Sequence, residues 1–391
     1  RNCTINMKFT QKKEMLVDGL KITKFISSGI YQYRFVKFLL ILLLIIHGSS
    51  QILQAYLFLH NFNLEEFIRY GPMFFVWFYG IAAILTLLIK PKLVENLFDE
   101  LYLWSIDNAS KEAEIMIKKE MKFLEIFAII YTLFTLILAF VFYLNPNDYD
   151  LCLPVKFVSD YTPNYSKLFT KVYKIATCLG IISIYHAHCY QVVYYTQHIK
   201  YQVQLFGDTL LDMMNSSKDL SEVKHLIDDE DYQCEIKQHL IFNIKRHQEL
   251  LTSGHKKIKE ISNLILCFSF CGLLAAASLS VRLVLNSYNP FELFLFGLGC
   301  LSGATTASAI ILAGQSIENI TDKLNDCVQQ IDWYNMNCKN RKLYLILLIC
   351  VQRKISIKFS GKCSINFELG LTVIRGIYAV LSAFISLKDK Y

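Results

Sequence analysis

Few residues in this chain are of a type and spacing to do chemistry. His186, His188 and Cys189 sit together in the stretch HAHC. On a helix, two His at i and i+2 point to opposite sides and do not share a metal ion. Cys267 and Cys271 are four apart and share a helix face, where small residues packing between helices account for them. Most of the twelve cysteines fall in apolar runs or in segments expected inside the cell. Only Cys152 is expected clearly outside, so a disulfide-stapled ectodomain is excluded. No Gly-x-Ser-x-Gly elbow or His-Glu-x-x-His pair occurs, and Gly361-Lys362 is not part of a phosphate loop. What remains is a set of polar residues in apolar surroundings: His47, Gln51, Gln54, His186, His188, Arg282 and Arg375. Intramembrane polar residues are functional candidates by default, and their scatter suits a lined cavity or pore better than a reaction centre. No enzyme activity, cofactor or metal is expected.

The elements that carry these residues are membrane spans. Of the 391 residues 54% are hydrophobic and 14% aromatic, far from soluble averages. A helix needs about 20 mostly apolar residues to cross the hydrocarbon core. Seven segments qualify: Phe35–Leu59, Phe67–Ile89, Phe123–Leu144, Phe169–Tyr195, Ile261–Leu285, Phe291–Ala313 and Phe367–Leu387. The run Leu343–Val351 (LYLILLICV) is too short to span and reads as a buried or interfacial helix before the last span. The first 34 residues are polar and basic, unlike a cleavable signal peptide. The chain begins without an initiator Met, so earlier residues are expected.

Loop charge sets the expected orientation. Lys and Arg number eight up to Lys37, six over Lys90–Lys122 and nine over Lys200–Lys259. The alternate loops carry Arg69, Lys156 and nothing over Asn286–Pro290. The expected fold is therefore an all-α membrane protein with seven transmembrane helices, a cytoplasmic N-terminus and an extracellular C-terminus. Residues 1–34 form a cytoplasmic segment, 35–195 hold spans one to four, 196–260 are cytoplasmic helix, and 261–313 hold spans five and six. Residues 314–364 are cytoplasmic again and 365–391 carry span seven.

That threading bears on NPNDY (Asn145–Tyr149), a literal Asn-Pro-x-x-Tyr. The motif belongs near the inner end of the last span of G-protein-coupled receptors. Here it falls outside, after span three, and reads as a turn in which Pro146 stops the helix. The stretch DDEDYQCE (Asp228–Glu235) reads as a solvated acidic turn between long helices. Ile199, Val203, Phe206, Leu210 and Met213 recur at helical spacing before it, as do Leu240, Ile244, Leu251 and Ile258 after it. Spans four and five are thus expected to run on into the cytoplasm with apolar stripes that need partners. Among the sequons, Asn108, Asn215 and Asn319 are expected inside and unmodified, and Asn164 (NYS) outside as a glycan site.

From Gly314 to Lys388 the chain resembles the end of the insect odorant receptors. The ordered series is Gly314-Gln315, Asp332-Trp333-Tyr334, the basic and apolar stretch Arg341–Val351, Gly361-Lys362, Glu368-Leu369 and Arg375 ahead of Tyr378, with His247-Gln248 before span five. The family's Ser-Tyr-Ser-Tyr core is reduced to Ile377-Tyr378-Ala379-Val380. The sister gustatory receptors carry Gln-Phe where this chain has Phe384-Ile385, which favours the odorant branch. The resemblance implies a tuning subunit of an odorant-gated, non-selective cation channel, a hetero-tetramer with the shared co-receptor in the plasma membrane of olfactory sensory neurons. It also implies a central pore lined by span seven, a subunit-holding anchor of cytoplasmic helices, and a volatile ligand in one subunit's outer half.

Stripes at helical spacing give that ligand a candidate site. They are Phe74, Trp77, Phe78 and Ile81 on span two, and Phe134, Ile137, Leu138 and Val141 on span three. Span four adds Tyr173, Thr177, Gly180 and Ile184, and span six Phe294, Leu298, Ser302 and Thr305. Such a pocket binds mainly by burial and shape. The candidate pore residues are Arg375, Tyr378, Leu381, Ser382 and Ile385. Alternatives are a gustatory-type channel and, with less support, a G-protein-coupled receptor or a transporter; the last should show inverted repeats or paired midplane charges, and neither is evident.

Overall fold

The computed structural model describes residues 19–60, 62–92, 103–106, 109–145, 152–219, 226–285, 290–360 and 363–388. Pro146–Tyr149 of the NPNDY stretch, Gly361-Lys362 and Asn108 lie outside them. The described residues are helical almost throughout: α1 Lys21–Ser27, α2 Arg34–His60, α3 Leu64–Ile89, α4 Lys111–Tyr143, α5 Leu153–Tyr161, α6 Pro163–Ser183, α7 Ala187–Asp219, α8 Glu230–Leu285, α9 Pro290–Gln329, α10 Cys338–Val351 and α11 Phe367–Lys388. A short antiparallel pair, β1 Lys358–Ser360 and β2 Cys363–Ser364, precedes α11. Among the described residues, six stretches, in α2, α3, α4, α6 running into α7, α8 and α9, are long and apolar enough to cross a membrane.

Helix starts follow side-chain chemistry. Asn63 accepts a hydrogen bond from the Glu65 N–H at 2.9 Å, and Glu65 and Glu66 lie at the positive end of the α3 dipole. Ser110 does the same for Ala113 at the head of α4, and Pro163 opens α6 where its missing N–H is harmless. The acidic stretch Asp228–Glu235 is a helix start rather than a turn throughout. Asp229 Oδ1 takes the N–H groups of Asp231 and Tyr232, and α8 begins at Glu230.

Span four departs from the sequence expectation. It is two helices, α6 and α7, separated by a turn at Ile184–His186. His186 therefore sits in the turn and His188 in α7, so the HAHC residues do not share one helix. Neither Pro nor Gly occupies the break.

The interior divides into one large cluster and several small ones. The large cluster joins Trp104, Ile117 and Met121 to the buried faces of α7, the first half of α8, the second half of α9 and α10. Hydrogen bonds fix it. The Gln233 amide donates to the Leu226 and Asn335 carbonyls and accepts from the Asn337 N–H and Asn340 Nδ2, tying the start of α8 to the start of α10. Arg246 donates to Gln202 at 2.7 Å and lies 4.2 Å from the Trp104 ring centroid. Glu125 of α4 accepts from Ile22 N–H and from the N–H and hydroxyl of Thr23, holding the first turn of α1.

Candidate functional site

The polar residues of α2 are the first candidates. Its buried stripe runs Leu40, Leu43, His47, Ser50, Gln51, Gln54 and Phe58, so the middle of an apolar helix turns four polar side chains inward. The stripe meets α3 and α6. There the His47 ring stacks on Trp77 with centroids 3.3 Å apart and an interplanar angle of 9°, and meets Tyr173 edge-on at 5.2 Å. Trp77 has room because Gly180 faces it: a Cβ at Gly180 would lie 2.3 Å from the indole. Thr177 is fully buried and donates to the Tyr173 carbonyl at 2.9 Å.

Several polar atoms at this junction and along the same stripe of α2 are buried and find no hydrogen-bond partner among the described residues. They are both ring nitrogens of His47, Trp77 Nε1, and the Oε1 atoms of Gln51 and Gln54. Most buried polar groups in proteins are paired, so a cluster of exceptions asks for an explanation.

The sequence-predicted residues divide by position. Trp77, Tyr173, Thr177, Gly180 and Ile184 converge on the junction or its apolar surround. Leu138, Val141 and Leu298 pack with Tyr173 in the adjoining cluster. Phe74 belongs to a neighbouring cluster with Phe58, Tyr70 and Leu153. Ser302 is engaged elsewhere: its carbonyl accepts the Tyr131 hydroxyl at 2.7 Å, and the same hydroxyl lies 2.6 Å from Thr306 Oγ1, a latch between α4 and α9. Ile81, Phe134 and Thr305 are half-buried. Phe78, Ile137 and Phe294 lie on the surface of the bundle, each more than half exposed. Sequence reasoning singled out His47, Gln51 and Gln54 as intramembrane polar candidates but read them as scattered, and missed Ser50 and the face all four share. Polar residues at i, i+3, i+4 and i+7 inside an apolar run were the available signal.

A cavity lies below the break, lined by residues including Tyr79, His188, Gln191, Phe268 and Thr306, with a volume of about 10 Å³. That is room for one water and not for an organic ligand. The unpartnered buried groups, rather than a cavity, make the His47–Trp77 junction the candidate site.

The head of α11 is a second built feature. Gln315 Oε1 accepts the Phe367 N–H at 3.1 Å, and Asn366 accepts the Leu369 N–H while donating to Glu318. Gly314 lets the backbone of the β2–α11 link approach α9, since a Cβ there would lie 2.1 Å from the Ile365 carbonyl oxygen. Beyond this socket α11 contacts α8 and α9, but most of its length is exposed. Arg375, Tyr378, Ser382 and Ile385 are all exposed, and Leu381 is half-buried.

Comparison with known proteins agrees with this architecture. The solved insect olfactory receptor OR5 from Machilis hrabei in complex with eugenol superposes with a TM-score of 0.65 at 11% identity, covering 88% of each chain. The OR5 structure described without eugenol superposes with a TM-score of 0.59 at 11% identity, over 88% of this chain and 87% of that one. At such identity the likeness shows a shared fold. No curated protein matches the sequence. The 7tm Odorant receptor family model matches residues 63–378, most of the chain, and the protein belongs to that family.

Proposed function

We propose that the chain is the odorant-binding subunit of an odorant-gated cation channel, assembled with a shared co-receptor in the plasma membrane of olfactory sensory neurons. A small volatile occupies the junction of α2, α3 and α6, in the outer half of the bundle by the loop-charge bias, and α11 lines the pore. OR5, which has the same fold, binds eugenol.

The observation that carries the channel reading is the exposed face of α11. Leu371, Ile374, Tyr378 and Ile385 stand out of the single chain, yet the head of the helix is anchored by Gln315 and Asn366. A rigidly anchored helix with an unpartnered face that mixes Arg375 and Ser382 with apolar residues is suited to other subunits around a water-filled axis. Arg375 faces the conduction path, and Tyr378, Leu381 and Ile385 form an apolar constriction. Asn164 is exposed near the start of α6 and is the candidate glycan site.

Co-expression with the co-receptor and current recording test this. Arg375→Gln alters cation conductance or blocker sensitivity, and Leu381→Ala raises the basal current. Normal trafficking of both variants with unchanged permeation and basal current would remove α11 from the pore.

A further inference from the structure

The unpartnered atoms at the His47–Trp77 junction have a chemical signature of their own. The indole N–H of Trp77 only donates, the Oε1 atoms of Gln51 and Gln54 only accept, and a neutral His47 ring offers one nitrogen of each kind. His47 and Trp77 are at least nine-tenths buried, as are Gln51 and Gln54, and these atoms have no partner among the described residues. The His47 ring lies beside the Ala176 backbone, but neither nitrogen completes a hydrogen bond there. Turning a glutamine amide over exchanges an orphan acceptor for an orphan donor, and the site remains mixed because Trp77 and His47 are unaffected.

We propose that this junction selects odorants that carry a hydroxyl group, with the polar stripe of α2 as the specificity element. A hydroxyl donates one hydrogen bond and accepts others, so it answers the Trp77 N–H and a glutamine or histidine acceptor together. An aldehyde, ketone or ester accepts only, and leaves the acceptors orphaned. A carboxylate needs a cation, whereas the polar residues gathered here are neutral. An alkane answers none of them. The apolar remainder of the ligand fits the surround of Leu40, Leu43 and Ile184. Sites built to bond a hydroxyl discriminate strongly against analogues that lack it, because their own buried groups are then left unpaired. The inference rests on the junction being the odorant site.

The test uses the full chain with its co-receptor and matched probes: hexanol, hexanal and hexane, and benzyl alcohol, benzaldehyde and toluene. Each alcohol is expected to act at about a tenfold lower concentration than its partners, or better. His47→Phe keeps the ring stacked on Trp77 but removes both nitrogens, and Gln54→Leu removes an acceptor; each is expected to erase the alcohol preference and leave the hydrocarbon responses in place. Equal potency across each set, or a preference that survives both variants, overturns the hydroxyl inference. Thr177→Phe separates this from the site itself, because it fills the junction. If every odorant response survives that variant while an agonist of the co-receptor still opens the channel, the site reading fails. Should no probe evoke current, thermal stabilisation of the full chain in nanodiscs decides: no greater shift with alcohols than with hydrocarbons overturns the proposal.

Discussion

Gly180→Ala is the sharpest probe of the junction. The added Cβ would lie 2.3 Å from the Trp77 indole, where a carbon–carbon contact needs about 3.5 Å, so the ring must retreat by about 1.2 Å. It has little room to do so. His47 is stacked on the indole at 3.3 Å, and Trp77 is 2% exposed. Overpacking at such a close contact costs about 1–3 kcal/mol. If that strain falls on the bound form alone, odorant potency drops between about fivefold and a hundredfold, at tenfold per 1.4 kcal/mol. If free and bound forms share it, the loss shows instead in thermal stability and surface expression. Concentration–response curves and detergent-solubilised melting measurements on the same samples separate these cases. Trp77→Phe should relieve the clash, so the double variant should recover a large part of what Gly180→Ala loses. A Gly180→Ala channel with wild-type melting and potency, and no coupling to Trp77→Phe, would show that the indole does not sit against α6 as described.

Three further outcomes are expected. Gln315→Ala removes the hydrogen bond to the Phe367 N–H and weakens the head of α11 by about 1 kcal/mol, as loss of a helix cap does, read as altered basal current at normal expression. Asn340→Leu removes the hydrogen bonds from Asn340 Nδ2 to the Gln233 carbonyl and Oε1, leaving Oε1 with the Asn337 N–H alone, at about 0.5–1.5 kcal/mol per bond, and should lower the melting temperature without changing the odorant ranking. His247 is fully buried, and burial pushes its imidazole down from 6.5 to about 4. The unfolded chain therefore binds the proton first. Its contribution is complete above pH 6.5 and declines as the pH falls from 6.5 towards 4, by at most about 1.4 kcal/mol per pH unit. His247→Phe should flatten melting temperature against pH in that window.

Much of the fold was legible because membrane helices announce themselves as apolar runs, and the long extensions of α7 and α8 because their stripes hold helical spacing. The break at Ile184–His186 was not, since no Pro or Gly marks it and the chain on both sides stays apolar. The hairpin before α11 was too short to show a pattern. Within the candidate site, Trp77, Tyr173, Thr177, Gly180 and Ile184 were reachable from spacing on spans two and four. Phe78, Ile137 and Phe294 illustrate the limit of that argument. In a membrane, an apolar residue faces lipid as comfortably as it faces the bundle, so hydropathy does not choose between faces. Polar residues do choose, and the inward stripe on α2 was the more informative signal.

The uneven division of the interior has a consequence for how such a receptor can change. The large cluster binds α1, α7, α8, α9 and α10 into one body, while the junction around His47 and Trp77 belongs to the smaller groups beyond the span-four break. Distant sites without shared partners act nearly additively. A substitution at the junction thus draws first on a small reserve of contacts, and it reaches the body that holds α11 through shared neighbours such as Phe268. Under the proposed function, odorant preference would change one residue at a time, with the larger body that carries α11 little altered.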